Sequence, residues 1–313
     1  MTTFGFQIPN FSQDVPDDQL FENVAALAVA AETSGFASVW VMDHFFQLPP
    51  LGGPDQPMLE GYTLLSALAA RTERVELGTL VTGVTYRNPA LVAKMVTTLD
   101  VISRGRAVCG LGAAWYDIEH DALGFAFPPA GERLDRLEEA VQICRAMFTT
   151  DHANFSGRYY SITDARNLPR PIRSDGIPIM IGGSGERRTL KLVAQYADRA
   201  NISGSPGTVR RLLDVLHRHC ADVGRDPAEI RLTWLGTLML TNSSVETGET
   251  RAMIEAGAGA ETDEKFIIGN DSEATERVAE LIEAGVDDVI VNMPFSGPDI
   301  VHRAGVLFTN HFA

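Results

Sequence analysis

Short apolar runs alternate with amphipathic stretches along almost the whole chain. The runs are too apolar to face water on either side, which is typical of buried parallel strands. Between them, apolar residues recur every three or four positions, as on one face of a helix. The pattern predicts strands at residues 4–8, 38–42, 75–81, 106–112, 177–181, 199–202, 230–240 and 288–293. It predicts helices at 17–34, 62–71, 90–103, 132–148, 208–223 and 273–284, another after residue 185 and a short one at the end of the chain.

The order of these elements indicates an α/β fold. Eight strand–helix units in 313 residues, without an evident linker, predict a single (β/α)8 TIM barrel over residues 1–313. A doubly wound open sheet is the alternative. Three segments, at about 113–130, 151–176 and 241–270, interrupt the rhythm and are predicted insertions. We expect a hairpin in the second of them and a mobile stretch at 256–260 in the third.

The composition argues against several classes of partner. The chain carries a net charge of -15, whereas nucleic acids and anionic membranes favour a basic surface. Without an apolar run of about 20 residues or a basic and apolar leader, we expect a soluble cytoplasmic protein. Cys109, Cys144 and Cys220 lack the spacing of a metal site and are expected to be reduced thiols. The histidines show no ligand pattern, so we predict no metal.

The turn between the fifth predicted strand and its helix has a composition suited to anion binding. Residues 182–185, Gly-Gly-Ser-Gly, leave backbone N–H groups uncovered at a helix start, where the helix dipole favours an anion. Four arginines lie nearby in sequence, Arg170, Arg173, Arg187 and Arg188. We predict a phosphate-binding loop. The alternative is a tight turn that only packs the strand against the helix.

Active sites of TIM barrels lie at the C-terminal ends of the strands, and polar residues follow several of the predicted strands. His44, after the second strand, is a candidate for proton transfer because imidazole gives and takes protons near neutral pH. Asp43 beside it would orient the ring. Alternatively, Asp43 caps a turn and His44 bonds to backbone. Glu119 and His120, beyond the fourth strand, are further candidates.

Several segments, in order, resemble the luciferase-like monooxygenase superfamily, and most closely its coenzyme F420-dependent oxidoreductases. They are VWVMDHF, GTLVTGVTYRNPALVAK, the region of FSGRYYSI and RNLPRPI, and IPIMIGGSGERRTLKLVAQYAD. The resemblance implies a (β/α)8 barrel whose third strand is followed by a cis peptide at Leu80–Val81. It implies that the F420 phosphate lies at Gly182, Gly183, Ser184 and Gly185, and the ring near Asp43, His44, Val81, Thr82 and Gly112.

The same resemblance implies hydride transfer between F420 and a small organic substrate, with His44 as proton donor or acceptor. Leu48 and Trp115 stand where sugar-phosphate dehydrogenases of this branch carry a tryptophan and a glutamate. We therefore expect a hydrophobic substrate, such as an enone, an imine or an alcohol, in an apolar pocket. Its predicted lining is Phe45, Phe46, Trp115 and Phe125, with Glu119 and His120 close to the substrate.

Two other functions stay open at this point. One is a monooxygenase of the same superfamily that uses reduced FMN and O₂, because FMN also ends in a phosphate. The other is a non-catalytic barrel that only binds the cofactor. A homodimer is expected from the resemblance alone.

Overall fold

The computed structural model describes residues 2–11 and 15–312. In these ranges the strands are β1 Thr3–Ile8, β2 Ser38–Val41, β3 Glu76–Thr79, β4 Thr82–Gly83, β5 Cys109–Gly112, β6 Ala153–Ser156, β7 Ser161–Ala165, β8 Ile179–Gly182, β9 Arg199–Ile202, β10 Arg231–Leu240, β11 Phe266–Gly269 and β12 Asp288–Asn292. The helices are α1 Leu20–Thr33, α2 Gly61–Ala69, α3 Pro89–Ile102, α4 Asp117–Leu123, α5 Ala130–Thr149, α6 Thr189–Tyr196, α7 Pro206–Val223, α8 Ser244–Ala258, α9 Thr262–Lys265, α10 Asp271–Glu283 and α11 Pro298–Phe312.

The main sheet is a parallel barrel. Its strands follow the order β3-β2-β1-β12-β10-β9-β8-β5-β4, and β4 resumes the path of β3 after two residues. A bridge between Leu77 and Ala107 joins β3 to the residues that precede β5, which closes the ring. The predicted (β/α)8 barrel is confirmed. The doubly wound alternative is wrong, because it requires a sheet with two open edges.

Two separate groups of apolar side chains stabilise the barrel. The larger group lies between the sheet and the surrounding helices. The smaller group fills the inside of the barrel and consists of Trp40, Leu80, Val108, Met180 and Ile290. Because these side chains occupy the interior, a ligand has room only at the ends of the strands.

The third predicted strand is divided into β3 and β4. The division falls at the Leu80–Val81 peptide, which is cis, as the family resemblance implied. The Leu80 carbonyl accepts a 3.1 Å hydrogen bond from the side-chain amide of Gln7. This bond links the break in the third strand to the C-terminal end of β1.

The predicted insertions contain regular elements. β6 and β7 form an antiparallel pair in the segment 151–176, where a hairpin was expected. The segment 241–270 contains a strand that the pattern did not predict, β11, which pairs with the last four residues of β10. Residues 256–258, expected to be mobile, form the last turn of α8.

The helices and the cysteines bear on two expectations from the composition. Within the described ranges, no helix combines the length and the apolar character needed to cross a membrane. The three cysteines lie in those ranges, buried and without a disulfide.

Gly110 marks the closest approach between β5 and the third strand. A Cβ atom at Gly110 would lie 2.1 Å from the carbonyl oxygen of Thr79, a backbone atom that cannot rotate away. We expect Gly110→Ala to lower the free energy of unfolding by about 1–3 kcal/mol, the usual cost of overpacking. Gly248→Ala in α8, where a Cβ meets nothing within 4 Å, is the matched control and should stabilise slightly. Urea unfolding of both variants tests this, and equal stabilities would contradict it.

Candidate active site

Two adjoining cavities open at the C-terminal ends of the barrel strands. The first, of about 370 Å³, is the glycine-loop cavity, lined by Asp43, His44, Leu80, Val81, Gly83, Tyr86, Gly112, Ala113, Ala114, Trp115, Gly182, Gly183, Ser184, Gly185, Thr189, Asn201 and Leu235. The second, of about 540 Å³, is the apolar cavity, lined by Gln7, Pro9, Met42, His44, Leu48, Pro50, Leu51, Leu80, Trp115, Leu235, Thr237, Met239, Met253, Ile254, Phe266, Asn292, Pro294 and Phe295. They share His44, Leu80, Trp115 and Leu235.

The glycine loop joins β8 to α6 and forms one wall of the first cavity. Gly183 has φ +127°, a conformation that strongly favours glycine, and its N–H donates to the carbonyl of Asn201 at 2.9 Å. The N–H groups of Ser184 and Gly185 donate to no protein acceptor in the described part of the chain. A Cβ on Gly185 would meet the Thr189 hydroxyl at 2.7 Å. Free donors in the loop that precedes α6 suit the phosphate of a cofactor.

The arginines near this loop in sequence do not form one cluster. Arg170 caps the last carbonyls of α5, including those of Met147 and Phe148. Arg173 pairs with Glu76, the first residue of β3, and therefore lies at the opposite end of the barrel. Arg170 and Arg173, which lie near the loop in sequence, therefore do not lie near it in the fold. Strand β8 lies between these arginines and the loop, so they are at opposite ends of the same strand.

Val81 forms a raised part of the floor of the glycine-loop cavity. A Cβ on Gly112 would lie 2.5 Å from the Val81 side chain, and one on Gly182 would lie 3.0 Å from it. The two glycines therefore make room for this valine. Thr82, which we expected near the cofactor ring, does not line either cavity. Its hydroxyl is buried and bonds to the Tyr62 hydroxyl at 2.6 Å.

Asp43 lies at the base of the glycine-loop cavity. One carboxylate oxygen, Oδ2, accepts hydrogen bonds from the Gly83 N–H at 3.1 Å and from Arg87 at 2.8 Å. The other, Oδ1, is buried and has no partner in the described structure. Burial raises the pKa of Asp43 to about 6, although Arg87 and Gly83 act to lower it. An unpaired acceptor beside the cavity fits a donor group on a bound ring.

His44 is held by a buried carboxylate. Its Nδ1 lies 2.7 Å from Oε1 of Glu119, which is 0% exposed, while His44 is 14% exposed. Oε1 of Glu119 also accepts the Tyr86 hydroxyl, and Oε2 accepts the N–H groups of Phe45 and Phe46. Burial acts to raise the pKa of Glu119, but the hydrogen bonds from His44 and Tyr86 lower it below its ordinary value. The remaining ring nitrogen, Nε2, is the one available to the cavities.

The comparisons with known proteins agree with this arrangement. Residues 2–283 match the family model for luciferase-like monooxygenases. The chain belongs to this family. F420-dependent glucose-6-phosphate dehydrogenase of Rhodococcus hoagii is 30% identical over 307 residues, covering 87% of this chain and 88% of that protein. The enzyme of the same name from Amycolatopsis mediterranei is 37% identical over 174 residues, covering 55% of this chain and 49% of its own length.

This luciferase-like chain spans about half the length of several relatives that it matches, for example 49% and 50%. The names of these relatives confirm the resemblance to the F420-dependent branch. Among solved structures, F420-dependent tetrahydromethanopterin reductase from Methanopyrus kandleri superposes with a TM-score of 0.79. It is 20% identical, with coverage of 100% of this chain and 99% of that one, and it shows the fold.

The residues expected around the substrate of this luciferase-like protein divide into two groups. Trp115 lines both cavities and is 61% exposed. Phe45, Glu119 and His120 line neither, and lie behind the cavity wall. His120 is buried, with Nδ1 2.7 Å from the Tyr116 carbonyl and Nε2 2.7 Å from the Thr85 hydroxyl. Its contacts indicate a structural role.

The apolar cavity has a short row of polar side chains on adjacent strands. Thr237 donates to Asn292 at 2.8 Å, and Asn292 donates to Gln7 at 3.4 Å. The strand register pairs Asn292 with both other residues, which places the row across β10, β12 and β1. No Lys, Arg, Asp or Glu side chain from the described residues lines this cavity. The cavity therefore offers hydrogen bonds to an uncharged group, and His44 is the one side chain among the described lining residues that can carry a positive charge.

Sequence reasoning did not single out Tyr86, Thr189 or Leu235 as part of the site. Tyr86 follows the third strand by three residues, and the tyrosine in TYRNPA was a visible signal at that strand end. Leu235 lies inside a long apolar strand and carries no polar signal. In the described part of the chain, no group of three or more His, Cys, Asp or Glu side chains is arranged to hold a metal ion.

The pKa of Asp43 gives a pH dependence of stability. The folded pKa of about 6 lies above the ordinary value of 3.8, so the folded chain retains this proton to higher pH than the unfolded chain. Stability should therefore fall as pH rises from about 4 to about 6, by about 3 kcal/mol for this group. The stability of Asp43→Asn should not show this fall between about pH 4 and about pH 6, because asparagine does not titrate. Urea unfolding of both proteins across that pH range measures the difference, and parallel pH profiles would contradict the assignment.

Proposed function

We propose that the protein is an F420-dependent oxidoreductase that moves a hydride between the deazaflavin and a small, uncharged, mainly apolar substrate. The observation that carries the proposal is the position of His44. It lines both cavities, and its Nδ1 is bonded to the buried Glu119. One cavity is bordered by a glycine loop that suits a phosphate and the other has an apolar lining, which supports a proton-transfer role for His44 between a cofactor and a substrate.

The polar groups of the glycine-loop cavity support F420 as the cofactor. Ser184 and Gly185 offer free N–H groups for the phosphate, and Asp43 offers an unpaired buried acceptor. Val81, Gly112 and Gly182 form the floor for the ring. When bound, F420 supplies a ring carbon that accepts or gives a hydride, and the protein supplies orientation and proton transfer. The F420-dependent relatives support this choice of cofactor.

His44 then acts on the substrate oxygen. In substrate oxidation, Nε2 accepts the hydroxyl proton while the carbon loses its hydride. In substrate reduction, Nε2 returns the proton to the carbonyl oxygen. Glu119 stabilises the ring while it carries the extra proton, because an ionised buried carboxylate faces Nδ1.

The apolar cavity favours a different substrate from that of the relatives named glucose-6-phosphate dehydrogenase. A phosphate group needs cationic or N–H donors, and no Lys or Arg side chain of the described residues lines this cavity. Leu48 and Trp115, the two departures seen in the sequence, both lie in its wall. The shape and chemistry support a secondary alcohol or its ketone, or a related enone or imine.

An FMN-dependent monooxygenase is the second candidate. The family name supports it, and the glycine loop suits either cofactor because both carry a phosphate on a ribityl chain. A non-catalytic cofactor-binding barrel is the third candidate. It gives no reason for the hydrogen bond between His44 and the buried Glu119. Cofactor preference and turnover separate the three.

Fluorescence titrations with F420 and with FMN test the cofactor. We expect tighter binding of F420. Gly183→Asp should abolish binding because it places a carboxylate beside the phosphate. Gly183→Asn has the same shape without the charge and is the matched control, which should weaken binding less. A preference for FMN would favour the monooxygenase, and equal binding by wild type and Gly183→Asp would remove the phosphate-loop assignment.

Turnover tests the role of His44. With F420 and a panel of secondary alcohols, we expect loss of the oxidised F420 absorbance, and none with glucose 6-phosphate. His44→Ala should lower the rate by about 10²–10⁴-fold, the usual scale of general acid–base catalysis, while F420 still binds. A normal rate in the variant would exclude His44, and turnover of glucose 6-phosphate alone would contradict the substrate class.

A further inference from the structure

We infer that Glu119 is a positioning residue that fixes the tautomer of His44, with the proton on Nδ1 and a bare, proton-accepting Nε2 towards the cavities. The inference rests on the proposed proton-transfer role for its catalytic meaning. The tautomer itself depends only on the protein.

Glu119 has four donors around its two oxygens. Oε2 accepts the N–H of Phe45 at 2.7 Å and that of Phe46 at 3.2 Å. Oε1 lies 2.7 Å from Nδ1 of His44 and also accepts the Tyr86 hydroxyl. The N–H groups of Phe45 and Phe46 can only donate. In any variant at position 119, the side-chain atom that faces them must therefore be an acceptor.

The charge state of Glu119 decides what Nδ1 does. The hydrogen bonds from His44 and Tyr86 overcome the effect of burial and hold the pKa of Glu119 low, so the carboxylate is ionised. An ionised carboxylate accepts only, which requires Nδ1 to carry a proton. Burial and the bond to Glu119 raise the pKa of Tyr86, which keeps its hydroxyl a donor. In the neutral ring the single proton is then on Nδ1.

A glutamine at position 119 would reverse this arrangement. Its one oxygen must face the N–H groups of Phe45 and Phe46. Its NH₂ group must then face His44, and it donates to Nδ1. A neutral ring that accepts at Nδ1 carries its proton on Nε2, so the nitrogen next to the substrate becomes a donor. Glu119→Gln therefore preserves size and packing while it inverts the tautomer.

His120 gives an internal control for the fold. Its Nδ1 lies 2.7 Å from the Tyr116 carbonyl, which only accepts, so its neutral ring also carries the proton on Nδ1. No contact in the described structure joins His120 to the Glu119 carboxylate, and its tautomer should be the same in every folded variant. Tyr86→Phe is the second control. It removes one donor from Glu119 but leaves the bond to His44, and should keep the wild-type tautomer.

The experiment is a long-range ¹H–¹⁵N correlation spectrum of protein labelled with ¹⁵N-histidine, at alkaline pH where imidazole rings are neutral. His44→Gln identifies the His44 signals. We expect protonated Nδ1 in the wild type and in Tyr86→Phe, and protonated Nε2 in Glu119→Gln, with His120 unchanged. Protonated Nε2 on His44 in the wild type would overturn the inference, as would an unchanged tautomer in a folded Glu119→Gln. If that variant does not fold, the wild-type spectrum still decides.

A kinetic measurement connects the tautomer to the reaction. Glu119→Gln should lose about as much turnover as His44→Ala while its affinity for F420 is unchanged. Turnover close to that of the wild type in a variant with the inverted tautomer would overturn the positioning role. Failure of F420 binding in all proteins would instead refute the proposed function and leave the tautomer assignment intact.

Discussion

The organisation of this site depends on one buried carboxylate. Glu119, on the short helix α4, collects donors from the loop after β2 and from Tyr86 after β4. A buried carboxylate without these donors would be costly, so its ionisation and the positions of three separate segments depend on one another. The same bonds aim the His44 ring. A change in α4 or at Tyr86 therefore alters the orientation of His44, although His44 itself is unchanged.

Packing inside the barrel determines where a ligand can bind and what forms the floor of its cavity. Trp40, Leu80, Val108, Met180 and Ile290 fill its interior and leave ligands only the upper end. Glycines on β5 and β8 make room for the Val81 side chain, which rises into the first cavity. The floor of the glycine-loop cavity is thus formed by the apolar side chain of Val81 and by the Asp43 carboxylate, whereas one wall carries free backbone donors. Under the proposed function, packing would set the position of the cofactor ring and polar groups its orientation.

Much of the fold follows from local pattern, and much of the site does not. Strands buried on both faces are continuous apolar runs, and this pattern predicted the eight barrel strands. The pattern did not predict β11, which lies in an otherwise polar segment. Glu119 and His44 are 75 residues apart in sequence, and no local signal links them. Arg173 is close to the glycine loop in sequence because only residues 174–181 lie between them, but these residues include β8, which runs from one end of the barrel to the other. Contacts between distant segments require the fold itself.

The two cavities draw on different parts of the chain. Barrel strands and their immediate loops line the glycine-loop cavity, whereas the segment 241–270 contributes Met253, Ile254 and Phe266 to the apolar cavity alone. Substitutions in that segment would therefore change the lining of the apolar cavity and leave that of the glycine-loop cavity in place. If the proposed function holds, evolution could change the substrate range of such a chain through one insertion and keep the cofactor site unaltered.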